Sequence, residues 1–166
     1  MMRPMTVFGV GPSWAFFSIL YAIAAYFVTR AFPVFRIPEQ MYPVLTFLSI
    51  PLLLVGILYY VLSGKAVVKA FSSSKLLTDG VYGICRHPLY GSWILFIVPG
   101  IELFTRSWLG LTTSVAMYLM LRAMVKSEED YLAAKFGDIY REYKARIPFI
   151  SPLGWLIRKS GAGNGS

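Results

Sequence analysis

The chain has 166 residues, 57% hydrophobic and only 14% charged, with a net charge of +8 and a mean hydropathy of +0.60. That balance excludes an ordinary soluble domain, where about a quarter of residues are charged. It also excludes a soluble nucleic-acid-binding module, because the bases lie between apolar runs and no separate basic fold presents them. With one cysteine and one histidine, neither an internal disulfide nor a metal site is expected. Residues 1–166 therefore read as one all-helical integral membrane domain, with basic residues beside lipid headgroups.

The first apolar segment covers about 13–29 and can cross a bilayer with some tilt, since a full span needs roughly 20 residues. Ala22-Ile23-Ala24 resembles a signal-peptide cleavage site. The apolar run continues past it, however, so a retained helix is expected. A polar connection at 30–41 leads to a second span at about 42–62. Pro51 inside it is expected to kink the helix, and Tyr42, Tyr59 and Tyr60 mark its ends. Residues 63–87 are the longest polar connection, with Lys65, Lys69, Lys75 and Arg86 against Asp79 alone. Three serines at 72–74 and Gly80 predict turns here and no regular element. The third span, about 88–104, should kink near Pro99 and Gly100. A tight turn at 105–107 joins it to the fourth, about 108–125, as an antiparallel helical hairpin. From Lys126 onward, charges interleave with Tyr131, Leu132, Phe136, Ile139, Tyr140 and Tyr143 at intervals of three and four. That period predicts an amphipathic helix over about 127–146, ended by Pro148 and Pro152. Its stripe either lies on the membrane surface or covers the 63–87 loop. Residues 160–166 are small and polar and are expected to be mobile.

Four spans put both termini on one side. That side takes twelve of the lysines and arginines, against three on the other, with Arg122 inside the fourth span. The bias places the termini and the loop before the third span in the cytoplasm.

That loop runs Gly80-Val81-Tyr82-Gly83-Ile84-Cys85-Arg86-His87-Pro88-Leu89-Tyr90-Gly91. Pro88 suits the first position of a helix. Arg86 and His87 then sit with a helix N-terminus at one membrane surface, an arrangement for a ligand bearing carboxylate or phosphate. The hairpin begins and ends at that surface, so Glu128 and Glu129 should lie close to His87, forming a small-molecule site. Cys85 is expected to be a buried filler. Glu102, near the outer end of the third span, is expected to reach the interface beside Arg106.

Two motifs occur in order. The first is Gly80-Val81-Tyr82 with Arg86-His87-Pro88-Leu89-Tyr90. The second is Glu128-Glu129 with Leu132, Phe136-Gly137, Tyr140, Tyr143, Arg146 and Pro148. Together, over about 74–152, they resemble the isoprenylcysteine carboxyl methyltransferase family and its phospholipid methyltransferase relatives. The resemblance implies a membrane-embedded enzyme that uses S-adenosylmethionine on a lipophilic acceptor. It implies that Tyr82, His87, Pro88, Leu89, Tyr90 and Glu128 bind the cofactor. Positions 74–77, including Leu76 and Leu77, align with a loop that touches it. The arginine that serves the substrate in the prenylcysteine enzymes falls at Met124 here. Arg122, two positions away, either snorkels to the surface or reaches the site, which sets this chain apart from the prenylcysteine enzymes.

The cofactor's chemistry suits these residue types. Its carboxylate wants Arg86, His87 or loop N–H groups. Its amino group or ribose hydroxyls want an acceptor such as Glu128. Tyr82, Tyr90 and Tyr140 offer rings to adenine or the sulfonium. A carboxylate or thiolate acceptor needs no base, whereas an amine must lose a proton, for which Glu129 and His87 are candidates. The acceptor should come sideways from the bilayer, and the cofactor from the cytoplasm. Two other readings remain: a membrane reductase with a nicotinamide cofactor, and a non-catalytic lipid-binding protein.

Overall fold

The structure is a computed structural model that describes residues 9–73 and 75–150. The expectations for residues 1–8, Ser74, Pro152 and 160–166 lie outside the described residues. Helix α1 (Gly11–Ala31) carries Pro12 in its first turn, where the missing N–H would be unpaired anyway. It ends at Phe32, which turns extended ahead of Pro33. Its buried residues Trp14, Ser18, Ala25 and Thr29 form one stripe. Phe16 and Phe27 are 64% and 65% exposed, as side chains meant for lipid would be. Short 3-10 turns at Pro33–Phe35 and Glu39–Met41 lead to the next helix.

Helix α2 (Tyr42–Ser73) is longer than expected. Residues 63–73 continue the helix, where turns were predicted. Lys65 to Ala70 are compatible with helix, and Ser63 returns its hydroxyl to the Tyr59 carbonyl at 2.6 Å, so the backbone is never drawn out of its ladder. At 1.5 Å per residue the helix is about 48 Å long, well beyond a ~30 Å hydrocarbon layer. Its last turns therefore project past the membrane. After the short helix α3 (Val81–Ile84), α4 spans Pro88–Thr105. Its irregularity is a π-helical turn at Trp93–Ile97, one turn before the predicted kink at Pro99. The widened turn relieves the clash between a proline ring and the carbonyl four residues earlier.

Arg106 adopts a left-handed conformation, and the Ser107 hydroxyl caps the next helix by accepting the Gly110 N–H at 2.8 Å. Helix α5 (Trp108–Met124) then runs back and bends by 44° into α6 (Lys126–Phe136). The predicted continuous amphipathic helix is two helices, because Gly137 takes φ +57° and breaks it. Helix α7 (Asp138–Arg146) follows. Tyr140 and Tyr143 are buried, and Tyr143 donates to the Tyr82 carbonyl at 2.7 Å. The stripe thus covers the loop before α4.

The α4–α5 hairpin is central. Helix α1 packs on α5 and α2 on α4, while α1 and α2 barely touch each other. Trp14 ties α1 to α5 by donating its indole N–H to the Met117 carbonyl at 2.9 Å. Edge-on ring pairs, Tyr59 with Phe96 and Tyr60 with Trp93, join α2 to α4. At the far end Thr29 and Ser107 share a hydrogen bond of 2.8 Å, and Ile37 donates to the Arg106 carbonyl. Trp14, Tyr90, Ile94, Met117, Leu121, Val125 and Ile150 form the core. Helices α1, α2 and α4, with the bent α5–α6 pair as a fourth, are long and apolar enough to cross a membrane. The described residues form an all-helical integral membrane bundle.

Candidate active site

The loop before α4 is held by its backbone. Arg86 and His87 donate their N–H groups to the Pro148 and Phe149 carbonyls at 2.9 and 3.0 Å. Cys85 is fully buried beside the Tyr59 hydroxyl, 3.4 Å away. Burial pushes the Cys85 thiol above its ordinary value, which keeps it an unreactive filler. With Pro88 opening α4, His87 stands at the N-cap position, and its side chain, almost fully buried, makes no capping hydrogen bond.

Glu129, in the first turn of α6, gathers Arg86, Lys144 and the His87 imidazole. Its Oε1 lies 2.9 Å from Arg86 Nη1 and 3.3 Å from His87 Nε2, and Lys144 Nζ is 2.8 Å from Oε2. The Arg86 contact is off the line of a hydrogen bond, so it is an ion pair. Burial alone would raise the Glu129 carboxyl. Hydrogen bonds from His87 and Lys144, with the Arg86 charge, outweigh burial and hold the carboxyl down at about 2. Glu128, one residue earlier, accepts from the Tyr90 hydroxyl at 3.2 Å. The imidazole and the two carboxylates, some forty positions apart in sequence, therefore share one end of the bundle.

A cavity of about 1160 Å³ opens from this cluster. Leu76, Leu77, Tyr82, Arg86, His87, Leu89, Tyr90, Glu128 and Tyr140 line its polar end, as does Lys75. From there it runs along Trp14, Ala15, Ile19 and Ala22 of α1, past Trp93 and Val98, to Glu102 and Thr113. Burial raises the hydroxyls of Tyr82, Tyr140 and Tyr143 above the ordinary tyrosine value. The next cause is the Glu128 charge at Tyr82, the Glu129 charge at Tyr140 and Cys85 at Tyr143. All three remain hydrogen-bond donors. Tyr140 faces the Arg86 guanidinium without an aligned hydrogen bond, and both its hydroxyl and Arg86 Nε are buried without a partner. Unsatisfied donors on a cavity wall are costly unless a ligand meets them.

Three predicted residues stand apart from the lining. Pro88 is buried behind it as the first residue of α4. Glu129 sits behind Arg86 and His87. Arg122 is exposed and lies over the Phe149 ring at 5.0 Å. Glu102, three residues before the end of α4, lies on the cavity wall and accepts from Thr105. Arg106 donates its N–H to the Glu102 carbonyl at 2.8 Å and its guanidinium stacks on Tyr42.

Other site residues escaped the sequence reading. Gly9 approaches so closely that a Cβ there would come within 2.5 Å of Glu128 Oε2. The only signal was a pair of small residues before an apolar run. Phe149 packs edge-on against His87 at 4.9 Å between ring centres, and no local pattern marks it. Lys144 reads in sequence as one more base of a solvated helix face.

Comparison with known proteins follows the same residues. The phospholipid methyltransferase family matches residues 46–139. A protein-S-isoprenylcysteine O-methyltransferase of Schizosaccharomyces pombe is 30% identical over 79 residues, which is 47% of this chain and 33% of that protein. The cobalt-zinc-cadmium resistance protein CzcN of Cupriavidus metallidurans is 36% identical over 52% of this chain and 39% of its own length. The nickel-cobalt-cadmium resistance protein NccN of Alcaligenes xylosoxydans xylosoxydans is 32% identical over 68% of this chain and 55% of its own. The chain spans a third to just over half the length of these relatives. No solved structure matches.

Proposed function

The chain belongs to the phospholipid methyltransferase family, and on that premise we propose that it is a membrane-embedded methyltransferase using S-adenosylmethionine on a lipophilic acceptor. The observation that carries this reading is the convergence of Arg86, His87, Tyr90 and Glu128 on one end of a cavity that continues past Trp14, Ala15, Ile19 and Ala22 into the bundle. The residues present fit the cofactor. Arg86 Nε and the Tyr140 hydroxyl are buried donors in want of an acceptor, which a carboxylate supplies. Glu128 is an acceptor for an amino group or ribose hydroxyls. Tyr82, Tyr90 and Tyr140 offer ring faces, and Leu76, Leu77 and Leu89 offer apolar wall.

When bound, S-adenosylmethionine supplies a methyl group already activated on a sulfonium. The chain's own task is then to orient two reactants and to exclude water. Glu129 orients. Saturated by Arg86, His87 and Lys144 and held at about 2, it is too weak a base to take a proton from an amine, and it fixes the Arg86 and His87 side chains that face the cavity. Of the two candidate bases, His87 is the one on the cavity wall and serves an amine acceptor. Arg122, outside the lining, braces Phe149. Sparse contact between α1 and α2 supports entry of the acceptor between them from the bilayer, and the lysine and arginine bias supports a cytoplasmic polar end of the cavity.

Titration of the full chain in lipid nanodiscs with S-adenosylhomocysteine tests the assignment. Wild type binds, and Glu128→Ala weakens binding at least tenfold, about one charged hydrogen bond. Unchanged affinity removes Glu128 from the site. Failure of wild type to bind, together with no radiolabel transferred from S-adenosylmethionine to a total lipid extract, removes the methyltransferase reading.

A further inference from the structure

The far end of the cavity is not apolar. Glu102 and Thr113 line it. Glu102 stands fourteen residues beyond Pro88 in α4, about 21 Å along the helix axis. Its carboxylate lies on Gly110 of α5, so closely that a Cβ there would overlap it, and it accepts from Thr105 Oγ1 at 3.3 Å. Thr113 is three residues after Gly110 and shares its helix face. Its side chain is 1% exposed, and its hydroxyl has no hydrogen-bond partner. The usual escape for a helical threonine is the carbonyl one turn back, here Leu109, and the Thr112 hydroxyl already bonds that carbonyl. A carboxylate inside a span and an orphaned hydroxyl are each costly to bury. Both face the same cavity, and nothing at the polar end of the cavity uses them.

We propose that Glu102 and Thr113 form a second polar subsite, which receives a hydroxyl at the far end of the lipophilic acceptor. A hydroxyl matches the pair because it donates to the carboxylate and accepts from the threonine. A hydrocarbon terminus leaves both unpaired, and an ammonium offers Thr113 no acceptor. The acceptor is then an amphiphile with polar groups at both ends, roughly 20 Å apart by the helix rise between the two clusters. This deepens the reading of the cavity as the acceptor's site and depends on it.

The probes are hexadecanol and hexadecane-1,16-diol, which differ only in the terminal hydroxyl. Binding to the full chain in nanodiscs is followed by the shift in tryptophan emission as the ligand replaces water beside Trp14 and Trp93, which line the cavity. The diol binds about tenfold more tightly than the monoalcohol, as one buried hydrogen bond to a charged group would give. Thr113→Val, which keeps the shape and removes the hydroxyl, reduces that preference at least threefold. Glu102→Gln, which keeps the size and removes the charge, does the same. Equal binding of the two alcohols to wild type overturns the subsite, as does a preference that survives both substitutions. S-adenosylhomocysteine titrated into the same preparation separates the two ideas. Cofactor binding without diol preference sinks the subsite alone. Diol preference without cofactor binding upholds a hydroxyl-binding pair in the cavity and overturns its assignment to a methyl acceptor.

Discussion

At the scale of single residues, Glu129 decides how the site is built. One carboxylate pairs with both Arg86 and Lys144 and orients His87. Its folded value of about 2 lies below the ordinary 4.5, so the stabilisation it contributes is complete above about pH 4.5 and is lost as pH falls through about 2. The size is of the order of 3 kcal/mol at neutral pH. Glu129→Gln should therefore lower the thermal midpoint in detergent at pH 7 by several degrees and change it little near pH 2. An equal loss at both pH values would show that the carboxylate's charge is not what holds the cluster. Sequence alone placed Glu128 and Glu129 beside His87 but could not divide their labour. That division depends on which oxygen faces the cavity and which faces Lys144, a matter of angstroms that spacing does not encode.

At the scale of elements, two boundaries moved for physical reasons. Helix α2 runs to Ser73 because the polarity of 63–73 reports its exit from the membrane, and leaving the membrane does not end a helix. The amphipathic stretch after Met124 breaks at Gly137 because its backbone adopts φ +57° and ψ −130°, a conformation that side chains strongly disfavour. No atom lies within 4 Å of where its Cβ would stand, so backbone alone is at issue. Gly137→Ala should cost about 1–3 kcal/mol, or straighten α6 and α7 and pull Tyr140 and Tyr143 off the loop. Proteolysis of the loop around residues 75–80 in nanodiscs reports the second outcome. An alanine variant with wild-type melting and wild-type cleavage would mean that the break does not need glycine.

At the scale of the whole molecule, α1 packs on α5 and α2 on α4 with little contact between α1 and α2, and residues of all four helices line the cavity. A bulky side chain there should separate the two reactants' requirements. Ala22→Phe, on the α1 wall, should raise KM for a lipophilic acceptor at least fivefold and leave S-adenosylhomocysteine affinity within twofold, since Ala22 lies far from Arg86 and Glu128 along the bundle. Equal losses of both would mean that the cavity is not divided between two ligands.

The membrane class, the helical hairpin and the two polar motifs were legible in the chain, because hydropathy, helical period and proline placement are local properties read over one or a few turns. The partners of Gly9, Lys144 and Phe149, the division of roles between Glu128 and Glu129, the course of the cavity and the position of Glu102 against Gly110 were decided by tertiary structure alone. Each depends on which faces of separate helices meet, and that follows from the packing of the whole bundle.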